Sequence, residues 1–227
     1  MKKIQSRGIG AASDILAAVD FGATGFIVGT GNELLSKLFN DRAEKARAIA
    51  IQEIKKCGRS KFDLPDADQF IAIVYRYARA ALEGTAELNL KILAKIMKGQ
   101  AIEGAIYATE FNEFADIVSS LKTREVVYLG TMLRLYSKGN LVQKEDSNDS
   151  YDIEQSVMIR MIKQLQGTEH FPEKRDLKAC EAGLQRTSLI YPVSQLISGG
   201  TIYAPSSDLE RLAQLVEFNE LLEGIYA

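Results

Sequence analysis

Residues 173–216, EKRDLKACEAGLQRTSLIYPVSQLISGGTIYAPSSDLERLAQLV, decide the fold. The opening third is helix-like, with Ala179, Cys180, Gly183 and Leu184 at spacings that gather a small apolar face. β-Branched and aromatic residues then take over. Two short extended runs, Leu189 to Val193 and Thr201 to Ala204, flank Gly199 and Gly200, a pair able to supply positive φ at a ribbon turn. Pro205 stops the second run, and the Ser206, Ser207, Asp208 cluster offers side-chain acceptors to the free amides of another helix. Helix, β-ribbon, helix is the order of a winged helix-turn-helix half.

Two upstream helices supply the front of that domain. Thr123 reads as an N-cap with Glu125 in the first turn, where the helix dipole favours negative charge. Val126, Val127, Leu129, Met132, Leu133 and Tyr136 form its packing stripe. The segment Lys138 to Asp152, KGNLVQKEDSNDSYD, is the most polar in the chain and reads as a disordered excursion. Asp152 then caps a helix with Val157, Met158, Met161, Ile162 and Leu165 on its apolar face, closed by Gly167.

The amino-terminal half carries helical periodicity and no strand alternation. Leu35, Phe39, Ala43, Ala46, Ala50 and Ile54 keep to one face of a long amphipathic helix that ends near Gly58. Pro65 opens the next start signal, with Asp66 or Asp68 as cap, and Phe70, Ile71, Val74, Tyr77, Ala78 and Ala81 form the following core face. Gly84 permits a turn, Leu88, Ile92, Leu93 and Ile96 make the next face, and Lys98 to Gln100 reads as a polar break. Phe111, Phe114, Ala115, Val118 and Leu121 point inward from a helix beginning at Thr109. The expected class is mainly α, an N-terminal helical bundle over 32–121 followed by a C-terminal winged helix-turn-helix-like domain with one β-hairpin over 122–227.

Residues 1–31 form a glycine-rich leader helix in this reading. Gly22, Gly25 and Gly29 recur at three- and four-residue steps, which in a helix leaves one bare face for helix association or membrane contact. The uncharged run from Phe21 to Gly31 is about half of the roughly 20 residues that span a bilayer. Extending it backwards brings Asp20 into the apolar region. Membrane contact in this reading is therefore peripheral and runs through residues 10–31, in a protein otherwise expected in the cytoplasm.

Composition narrows the function classes. Twenty-eight basic and thirty acidic residues leave a formal charge of −2, so any attraction to nucleic acid must be local. Cys57 and Cys180 lie far apart and form no CxxC pair, which argues against a disulfide framework and a zinc knuckle. His170 is the sole histidine and sits in a polar connector, so no nucleophile relay or metal set is assembled around it. The glycines of GFIVGTGNELL lack the lysine and hydroxyl of a P-loop. No cofactor and no small-molecule substrate are implied, and the expectation is a non-enzymatic protein.

The helix before the ribbon is the candidate contact element. It offers Lys174, Arg175, Lys178, Gln185 and Arg186 to a nucleic acid or protein partner, offset by Glu173, Asp176 and Glu181. The wing tip, SQLISGG, has no lysine or arginine to grip phosphate. Protein contact or self-association is the first reading, and a winged-helix DNA-binding regulator the alternative.

The helix holding LNLKILAKIMKG and the following EFADIVSSLKTREVVYLGTML, after a glycine-rich leader and a charged amphipathic helix, resemble the Abi-alpha group of abortive-infection proteins. Leu93-Ala94, Phe114, Ile117, Leu121 and Glu125 occupy comparable places over roughly residues 20–135. The tryptophan common before the Leu-Ala pair is absent, since the chain has none. The resemblance implies a bacterial or prophage-borne accessory factor linked to phage defence and supplies no catalytic residue.

Overall fold

The computed structural model describes residues 33–56, 67–104, 107–142, 150–195 and 200–226. The leader with Gly22, Gly25 and Gly29, the Cys57–Asp66 connection and the wing tip at 196–199 lie outside the described residues. The described chain is mainly helical with one antiparallel hairpin, a helical bundle plus a winged-helix-like arrangement. It divides into two compact units, 1–120 and 121–227.

The first unit packs α1 (Glu33–Lys55), α2 (Ala67–Leu82), α3 (Glu87–Glu103) and α4 (Ala108–Ser119). α3 sits against each of the other three, and α2 also packs on α1 and α4. Ala46, Ala50 and Ile54 of α1 are fully buried, and the small alanines expose backbone enough for Tyr77 to donate its O–H to the Ala46 carbonyl at 2.9 Å. The turn between α2 and α3 is closed at Gly84 (φ 90°), where Gly84 N–H reaches the Ala81 carbonyl and Thr85 N–H the Ala80 carbonyl, a Schellman pair.

Three sequence expectations are revised in this unit. Gln100 is fully buried and α3 runs on to Glu103, so Lys98 to Gln100 is no break. Gln100 donates to Glu110 Oε2 at 2.6 Å and to the Tyr107 carbonyl, while buried Lys95 lies 3.8 Å from buried Glu53. A helix with neighbours on several sides buries polar positions too, and the Gln100 amide N–H groups find partners there while its Oε1 has no hydrogen bond among the described residues. In α2, Ile71 is exposed and Ile73 takes its place in the core. Asp68 lies within the first turn rather than capping it.

The second unit runs α5 (Thr123–Val142), α6 (Ser150–Leu165), α7 (Lys174–Gln185), β1 (Ile190–Gln195), β2 (Thr201–Pro205), α8 (Ser207–Leu215) and α9 (Phe218–Tyr226). α5 packs on α6, α7 and α9, while β2 is covered by α6 and α8. The turn from α6 to α7 is held by Gly167 (φ 83°), whose N–H bonds the Phe171 carbonyl at 2.8 Å and draws the Phe171 ring into the core. β1 pairs with β2 from Ile190 opposite Pro205 to Gln195 opposite Thr201, with an irregularity between Pro192 and Ser194. Ser206 caps α8 by accepting the Leu209 N–H.

Several expected boundaries shift in this unit. Lys122, not Thr123, precedes α5 and caps it through its carbonyl, and Glu125 reaches back to the Lys122 N–H at 2.9 Å. α5 continues to Val142 and α6 begins at Ser150, so the expected excursion from Lys138 to Asp152 is helical at both ends, and 143–149 lie outside the described residues. Asp152 falls inside α6. On α7, Leu177, Cys180, Glu181 and Leu184 are buried, while Ala179 faces solvent.

Candidate functional site

The candidate contact residues divide by what already holds them. Glu173 and Asp176 shape the start of α7, the Asp176 carboxylate accepting the Glu173 N–H at 3.0 Å. That turn presents Lys174, Arg175 and Lys178 to solvent. Arg175 pairs with Glu173 at 2.8 Å on an exposed surface, where such a pair contributes little. Lys174 and Lys178 stand one turn apart on a single face.

Gln185 and Arg186 are exposed and are also tied into the domain. Gln185 donates to the Tyr203 hydroxyl at 2.5 Å, tying the end of α7 to the wing. Arg186 grips the Glu125 carboxylate with both terminal nitrogens, at 2.8 and 2.9 Å, and donates as well to the Gly183 carbonyl. Glu125 is 1% exposed. Burial alone would raise its carboxyl, but the Arg186 guanidinium and the Lys122 N–H overcome burial and hold it below the ordinary glutamate range. Gly183 makes room for this fork: a Cβ there would lie 2.7 Å from Glu125 Oε1.

On the other side of α7 a cavity of about 250 Å³ opens. Met158 and Ile162 of α6 line it, with Lys174, Leu177, Lys178, Glu181 and Ala182 of α7 and Gly200, Thr201 and Tyr203 of the wing. Glu181 is nearly buried and accepts the Tyr128 O–H at 3.2 Å. Burial pushes its carboxyl up to about 7, against the opposing pull of that hydrogen bond and of the Lys178 charge. Tyr128 is raised in turn, by its own burial and then by the nearby Glu181 charge. Cys180, fully buried with its thiol toward the Arg124 carbonyl, is pushed up to about 12 by burial.

From the sequence Glu181 reads only as a charge that offsets the lysines. Its position four residues after Leu177 and three before Leu184 placed it on the buried face, and that spacing was the available signal. Tyr203 and Tyr128 carried no such signal, because an aromatic in a core position looks the same whether or not its hydroxyl finds a partner.

The wing differs from a phosphate-gripping one. β1 and β2 contain no charged residue, and β1 leaves Tyr191 and Val193 exposed at 48% and 39%. Among the described residues no group of three or more His, Cys, Asp or Glu side chains could hold a metal ion, and no helix is long and apolar enough to cross a membrane. No protein-family model, curated protein or solved structure matches the chain.

Proposed function

We propose that the chain is a non-enzymatic interaction protein whose winged-helix unit makes protein contacts. The wing carries this reading. Neutral strands displace no counterions from phosphate, whereas an exposed tyrosine beside an exposed valine suits a protein surface. The hydrogen bonds of Arg186 to Glu125 and of Gln185 to Tyr203 favour the same reading, because either side chain would have to leave its partner to read a groove.

Sedimentation equilibrium tests the contact directly. Self-association that weakens in Tyr191→Glu with Val193→Glu supports it, and association indifferent to both substitutions counts against the wing. The second reading, a winged-helix DNA-binding regulator, draws on exposed Lys174, Arg175 and Lys178. Fluorescence anisotropy with a labelled duplex at low salt separates the two. The expected result is no saturable binding. A complex that weakens steeply with added salt and again in Lys178→Ala would establish the regulator instead.

The resemblance to the Abi-alpha group adds a biological setting, an accessory factor in phage defence with Gly22, Gly25 and Gly29 as a self-associating or membrane-contacting face. Phage plating on cells carrying the chain tests the setting. Liposome flotation of the full chain against one starting at Asn32 tests the leader, and equal recovery in the bottom fraction would remove membrane contact.

A further inference from the structure

The α7 residues that line the cavity repeat on successive turns of one face, so charged and apolar surface are layered along it. Leu177 joins Met158 and Ile162 as apolar wall. Lys174 and Lys178 are solvent-exposed lining residues, and among the described residues neither ammonium has a hydrogen-bond or salt-bridge partner. An engineered apolar cavity of about 150 Å³ holds benzene, so the roughly 250 Å³ here admits one ring or a branched chain bearing a small head group.

We propose that this cavity binds a small organic carboxylate with a compact apolar body, its carboxylate meeting Lys174 and Lys178 and its body lying on Met158, Ile162 and Leu177. Two ammonium groups supply the charge for the head group, and the apolar wall distinguishes the ligand from a bare anion. Because α7 and the wing residues Gly200, Thr201 and Tyr203 line the same space, an occupant touches both and fixes one against the other. The inference is independent of the protein-contact reading of the wing, which rests on Tyr191 and Val193.

The test uses the full chain with methyl-labelled methionine and isoleucine, titrated with benzoate, with benzamide as the uncharged isostere and with inorganic phosphate as a bare anion. Benzoate is expected to shift the Met158 and Ile162 methyl resonances saturably, at least about 10-fold more tightly than benzamide. Lys174→Met with Lys178→Met is expected to bring benzoate to the level of benzamide while the far-ultraviolet circular dichroism stays unchanged. The proposal is overturned by no saturable shift by about 10 mM benzoate, by equal affinity for benzoate and benzamide, or by unchanged benzoate binding in the double variant. Phosphate that displaces benzoate at equal concentration would also overturn it, by removing the apolar body from recognition.

Discussion

Glu125 and Glu181 are both buried carboxyls of the second unit, and their surroundings send them in opposite directions. The fork from Arg186 keeps Glu125 ionised, so Arg186→Ala leaves a buried carboxylate without its cation. With Arg186 itself 41% exposed, the expected loss is about 2 kcal/mol, below the range for fully buried pairs. Gly183→Ala is expected to cost about 1–3 kcal/mol by pressing a methyl into the same carboxylate. Chemical denaturation of both variants checks these values. Glu181 titrates the other way. Its folded value near 7 stands above the ordinary 4.5, so the folded chain holds this proton more tightly than the unfolded chain. The associated stabilisation is complete below about 4.5 and is lost as pH rises through about 7. It amounts to about 3 kcal/mol at most. Between pH 5.5 and 8 Glu125 stays ionised and drops out. Urea midpoints should therefore fall across that window in the wild type and fall less in Glu181→Gln, and identical slopes would refute the assignment.

At the scale of elements, the hairpin and its flanking helices were legible because their signals are local. A Gly-Gly pair between β-branched runs, a proline and a serine cluster each act within a few residues. Burial on α3 was not legible. Its buried Lys95 and Gln100 meet Glu53 on α1 and Glu110 on α4, contacts that the periodicity of α3 itself does not announce. The same holds for Arg186, whose partner lies 61 residues away, so a residue read from sequence as a contact group also braces the domain. The docking of α9 on α5 is another long-range fact. A Cβ at Gly130 would lie 3.0 Å from Leu222, so the two helices meet where a side chain is missing. Gly130→Ala is expected to cost about 1 kcal/mol or more, and Leu222→Ala in the same chain should recover part of it. Strictly additive losses would show that α9 does not rest on that glycine.

Over the whole molecule, each unit has its own interior. The first is centred on Tyr77, Phe70, Phe111 and the apolar residues of α3, the second on Tyr128, Phe171, Leu184 and Ile202. Residues 121–227 expressed alone are therefore expected to unfold in one cooperative step, with calorimetric and van't Hoff enthalpies that agree. A broad, non-cooperative melt would show that the second interior is incomplete without residues 1–120.

The thiol of Cys180 turns that second interior into its own clock. Held out of water and unionised at neutral pH, it reacts with an alkylating reagent only in molecules that have momentarily come apart around α7. In a Cys57→Ser background, the modification rate at rising reagent concentration levels off at the speed of opening. A single thiol thus measures how long the unit stays shut, without any added probe.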